Sequence, residues 1–148
     1  MTRIDFYGLD DKGVDAGLRF ACRLCDKALS SGHIVHVHAA SQPQAQQLDE
    51  LMWDYPKHRF LPHTLVAADA ETAPEPAPIH IGWDAPRHAE GLLINLHEDV
   101  PTFFGRFDRV AEIIVKDTIE QGRARYRHYQ HRGYPLHYHD MAGWEERA

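Results

Sequence analysis

The sequence predicts an α/β fold: a three-layer sandwich with a largely parallel central sheet, Rossmann-like but without a nucleotide-binding loop. Three observations lead there. Short β-branched runs alternate with amphipathic stretches along the 148 residues, the pattern of strand–crossover–strand units. Composition is globular, 43% apolar and 26% charged, and sufficient for one core in one domain, 1–148. No stretch approaches the roughly 18 consecutive apolar residues of a membrane span.

Residues 4–7 read as a first strand. Residues 15–30 read as a helix, because Leu18, Ala21, Cys22, Cys25 and Leu29 recur at helical spacing and Gly32 stands where a C-terminal cap belongs. Residues 34–38 are a β-branched run and a second strand. Residues 44–55 form a second helix with Leu48, Leu51 and Met52 on one face, Ser41 as its cap and Pro43 near its start. Residues 66–78, rich in Ala, Pro and acids, read as a surface loop. Strands follow at 79–83 and 92–96. Residues 102–115 read as a helix carrying Phe103, Phe107, Val110, Ile113 and Ile114, and a last helix runs from about 117 to 131, ending near Gly133.

Several chemistries lack their signatures. The turn after the first strand, GLDDKGVDAG, holds acids where a phosphate needs bare backbone N–H groups, and there is no GxGxxG or GxxxxGK[ST]. Cys22 and Cys25 form a CxxC placed mid-helix rather than at a helix N-terminus, which reads as packing. His36 and His38 alternate on a strand and so share one face, and His137 and His139 have the same spacing. Zinc binding would require the pairs to converge, and no spacing brings them together. No GxSxG or HExxH occurs. Neither cofactor nor metal is expected. The N-terminus MTRIDFYGLD lacks a secretory pattern and two cysteines make no disulfide framework, so a cytoplasmic protein is expected.

The last helix is the exception to a generally acidic chain. Residues 116–132 carry five Lys/Arg (Lys116, Arg123, Arg125, Arg127, Arg132) against Asp117 and Glu120, a local +3 on a chain of net charge −6. Solvated arginines opposing the helix dipole would explain that charge without a ligand. Spacing adds a second reading. Ile119, Arg123, Tyr126, Arg127 and Gln130 share one face. An arginine can hold a carboxylate through two parallel hydrogen bonds, and a tyrosine beside it can receive an apolar side chain. An acidic peptide ending in a hydrophobic residue fits such a face.

At these residues the chain resembles the chi subunit of bacterial DNA polymerase III, an accessory protein of the clamp loader. The resemblance runs through IDFYGLD, LDELMWDYPKHRFLPHTL at 48–65 with its LDxxxW and FxPH pieces, PIHIGWD, LLINL, PTFFGRFDRVAEII and RARYRHYQHRGY. It implies an adaptor without catalytic activity that binds the acidic, phenylalanine-containing C-terminal tail of single-stranded DNA-binding protein and the small psi subunit. DNA itself would be contacted mainly indirectly. By position, Arg123 matches the arginine that contacts the tail carboxylate, with Tyr126 and Arg127 beside it. Val115 would line the apolar pocket, and Lys116 would attract the tail's acids. Ile119 stands where the family can carry a lysine. Trp53, Phe60, Leu61, Pro62 and His63 would either face psi or stabilise the fold, Phe60 then being buried. Two rival readings are a direct single-stranded DNA-binding module and a nucleotide-binding α/β enzyme.

Overall fold

The computed structural model describes residues 1–66, 77–86 and 89–146. In chain order the elements are β1 (Arg3–Gly8), α1 (Val14–Ser30), β2 (Val35–His38), α2 (Gln42–Met52), β3 (His63–Val66), β4 (Ile79–Gly82), β5 (Leu92–Asn95), β6 (Arg109–Ile114), α3 (Ile119–His131) and β7 (Leu136–Asp140). The strands make one open sheet in the order β3-β4-β2-β5-β6-β1-β7, and the pairings are parallel. Helices α1 and α2 cover one face. The other is covered by α3 and by the segment holding Phe103, Phe104 and Phe107. The α/β sandwich is thus as the alternating pattern predicts.

Local chemistry explains where the elements stop. The Ser41 hydroxyl accepts the Gln44 backbone N–H at 3.3 Å, and the Gln44 side chain accepts from Ala40 N–H at 2.8 Å, closing the start of α2. Gly32, at φ +77, turns the chain out of α1, and the following N–H of His33 reaches back to Ala28 O at 2.9 Å. Gly91, at φ +79, leads into β5. A Cβ there would stand 2.4 Å from Ile34 O, so both conformation and space require glycine.

The predicted helix over 102–115 is overturned. A 3-10 turn occupies Phe104–Arg106, and Arg109–Ile114 is strand β6, between β5 and β1. Phe103, Phe107, Val110 and Ile114 do satisfy a helical period, but Val110, Ala111, Glu112 and Ile113 are consecutively buried. Consecutive burial of this kind belongs to a strand covered on both faces. Strands β3 and β7, the two edges, carry no apolar alternation strong enough to read in HTLV and LHYHD. The loop expected over 66–78 falls mostly outside the described residues.

Candidate functional site

Helix α3 crosses from β6 to β7 and has three distinct sides. Gly122, Arg125 and Tyr129 point at the sheet and are buried. Thr118, Gln121 and Arg125 border a cleft of about 380 Å³ at the carboxyl ends of the strands, which Asn95, His97 and Val115 also line. The remaining side, facing β1 and β7, carries Tyr126 and beyond it Arg123 and Arg127.

The buried side is fixed by Glu112, which is fully enclosed on β6. Its carboxylate accepts from Arg125 Nε at 2.8 Å, Tyr129 OH at 2.7 Å and Asn95 Nδ2 at 2.9 Å. Burial pushes the Glu112 carboxyl up, and Arg125, Asn95 and Tyr129 pull it back. Arg125 also donates to Glu98 O at 3.0 Å, so one guanidinium ties α3 to both β6 and the loop after β5. Helix α3 can sit this low because residue 122 is glycine: a Cβ there would lie 2.5 Å from Ile114 Cδ1.

Of the residues singled out in the sequence, Arg123 is 64% exposed along its side chain and, among the described residues, pairs with Glu120, at 3.0 Å. Arg127 and Lys116 are exposed, and Ile119 is 40% exposed. Tyr126 is half-buried against Phe6, with ring centroids 5.1 Å apart. Val115 departs from expectation. It belongs to the α1-side core and lines the cleft, while Tyr126 packs with the opposite core. The strand's alternation is the reason: Ile114, one residue earlier, is the apolar side chain on the α3 face.

The cleft lies where α/β sheets commonly place ligands, and an acid already meets the backbone at the start of α1. Gly13 N–H donates to Asp117 Oδ1 at 3.1 Å. Asp10 and Asp11, the acids of the first turn, accept from Gly143 N–H and Trp144 Nε1, holding the C-terminal turn. Trp144 is buried against Phe20 at 5.1 Å, a role the sequence left open.

The FLPH segment divides. Leu61 is buried and the His63 side chain is enclosed, its Nε2 within 3.1 Å of Asp49 O. Phe60 is not buried as a purely structural turn would have it. It is 71% exposed, Trp53 is 61% exposed, and their centroids lie 6.2 Å apart. Pro62 is half-buried. Trp53 and Phe60 are a solvent-facing aromatic pair beside the buried Leu61 and His63 side chains.

The histidine pairs do not converge. Three strands separate β2 from β7, roughly 19 Å at about 4.8 Å per step. His139 binds Asp5 at 2.9 Å and stacks on Tyr7 at 4.8 Å. His36 and His38 are buried against Phe107 and Phe103, and burial lowers them to about 3 and about 4. Among the described residues no cluster of three His, Cys, Asp or Glu could hold a metal. Cys22 and Cys25 are free and fully buried, and burial pushes the Cys22 thiol up to about 12, so the pair is packing. No described helix is long and apolar enough to cross a membrane.

A doubly wound α/β domain that holds an acid against the backbone at the start of α1, and whose distinctive surfaces are a basic helix flank and an exposed aromatic pair, has the form of a binding module. Residues 1–137 match the family described as DNA polymerase III chi subunit, HolC. DNA polymerase III subunit chi of Pseudomonas aeruginosa is 38% identical over 95% of this chain and 98% of its own length. The Haemophilus influenzae subunit is 31% identical over 88% and 92%, and that of Escherichia coli 29% over 98% and 100%. The chain belongs to the DNA polymerase III chi subunit family, accessory rather than catalytic within the polymerase complex.

Proposed function

We propose that this chain binds the acidic C-terminal tail of single-stranded DNA-binding protein through the outer flank of α3 and bridges it to the clamp loader through the Trp53–Phe60 surface, with the psi subunit as partner there. The observation that carries the reading is the flank itself. Arg123 and Arg127 stand exposed beside the Tyr126 ring and Ile119, with Lys116 at the approach, on a chain of net charge −6. Arg123 clamps the terminal carboxylate by two hydrogen bonds. Tyr126 and Ile119 offer apolar surface to the tail's phenylalanine, and Arg127 and Lys116 attract its acids. The exposed Arg123–Glu120 pair is worth little, so an incoming carboxylate displaces Glu120 at small cost.

Titration of a fluorescent peptide of acidic residues ending in Phe tests this. Arg123→Ala weakens binding at least about tenfold with an unchanged circular dichroism spectrum. Equal affinity removes Arg123 from the site, and tighter binding of naked oligonucleotide than of peptide favours direct DNA binding instead.

A further inference from the structure

The geometry points to Tyr138 of edge strand β7 as the second wall of the tail-binding groove, the ring that faces the phenylalanine from the side opposite α3. The inference rests on the reading just given and adds a residue that neither charge nor spacing singles out.

Four observations place it. In the β1–β7 register Tyr138 is paired with Phe6, and Gly8 with Asp140. Neighbours in parallel register point to the same face, so Tyr138 shares the α3 face with Phe6, against which Tyr126 packs. The second observation is its reach. The Tyr138 hydroxyl and Cζ would lie 2.0 and 2.8 Å from a Cβ on Gly8, so the side chain leans across the end of β1 toward β6, over space that exists only because residue 8 is glycine. The third is what lies beyond. Gly8 is paired on its other side with Ile114, the side chain beneath Gly122 of α3. Tyr138 thus covers Gly8, and the half-buried Ile114 lies between that ring and the Tyr126 side of α3, packed on the same core as Tyr126. The fourth is exposure: Tyr138, a large ring, remains 61% accessible.

An exposed tyrosine has few side-chain torsions to lose when a ligand covers it, which is why such rings serve as anchors in recognition sites. Charge names the occupant. Arg123 and Arg127 stand exposed on α3 next to Tyr126, so the ring that enters belongs to a chain terminus carrying a carboxylate, not to a neutral apolar surface or a second copy of this acidic chain. The phenylalanine seats between Tyr138 and Tyr126, and its carboxylate lies against Arg123.

A double-mutant cycle tests the assignment on the full chain. One peptide is acidic and ends in Phe; the other ends in Ala. Tyr138→Ala weakens the Phe peptide by roughly fivefold and leaves the Ala peptide unchanged, while Tyr138→Phe retains wild-type affinity. Gly8→Ala, which displaces the ring, reproduces the loss with Tyr138 intact, circular dichroism confirming that the chain is folded. If Arg123→Ala weakens binding and Tyr138→Ala weakens neither peptide, Tyr138 is not a wall and the tail-binding reading stands. If Tyr138→Ala weakens both peptides equally, the ring does not meet the phenylalanine and the inference is overturned. If the wild-type chain binds neither peptide, both readings fail together.

Discussion

Arg123 and Arg125 are two residues apart and serve different ends. Arg123 is exposed and can be removed without disturbing the fold. Arg125 is 6% exposed and holds a buried carboxylate through Nε and a loop carbonyl through Nη1. Exposed pairs contribute about 0–1 kcal/mol, whereas breaking a buried pair by deleting one partner costs about 3–5 kcal/mol, because the surviving charge stays buried. Arg125→Met is therefore expected to lower stability in urea unfolding by about 3–5 kcal/mol, with Arg123→Ala changing it by less than about 1 kcal/mol. If the two variants unfold alike, the Glu112 network is not what seats α3. Sequence pattern cannot tell these arginines apart by residue type. Only helical phase does so, and only once it is known that Gly122 and Tyr129 face the sheet.

At the scale of elements, legibility followed the strength of the local signal. Helix α1 was readable because its apolar stripe, Leu18 through Leu29, keeps one phase over about three turns and ends at a glycine. Helix α2 was readable from its cap. Strand β6 was not, because RVAEII is buried on both faces and shows no period at all, while the phenylalanines before it supply a false helical one. The edge strands failed for the opposite reason: half-covered, they retain polar residues such as His137 and His139 that no core demands. That blindness extends to the proposed site, since Tyr138 is placed only by its pairing with Phe6, 132 residues earlier, a relation absent from local sequence. How α3 docks also depends on one long-range contact. Helix propensity alone makes Gly122→Ala favourable by about 1 kcal/mol, but its Cβ would stand 2.5 and 2.7 Å from Ile114 Cδ1 and Cγ1. Overpacking of this kind costs about 1–3 kcal/mol. The balance is a net destabilisation of up to about 2 kcal/mol, and less when Ile114→Ala is already present. Strict additivity of the two variants would show that α3 does not rest on Ile114.

For the whole molecule, the placement of the two proposed surfaces decides whether a bridge is possible. The Trp53–Phe60 pair leads into β3 at one edge of the sheet, and the groove between α3 and β7 lies at the other. Six strand spacings of about 4.8 Å separate the edges, roughly 29 Å, so two ligands can occupy the chain without touching. The surfaces also differ in kind. The α3 flank is basic on an acidic chain, and its attraction for an acidic tail is screened as the Debye length falls from about 10 Å at 0.1 M salt to about 3 Å at 1 M. The aromatic pair is apolar, and its binding depends on buried area rather than charge. Two consequences follow together. Trp53→Ala with Phe60→Ala abolishes capture of the psi subunit and leaves tail-peptide affinity within about twofold, because the sites lie beyond contact range and couple weakly. Raising salt from about 0.1 to 1 M weakens the tail peptide severalfold and spares psi. Calorimetric titration of the tail peptide into the preformed psi complex measures both at once. Full stoichiometry with unchanged affinity is the signature of a bridge, and loss of tail binding in that complex means that the two partners compete for one surface.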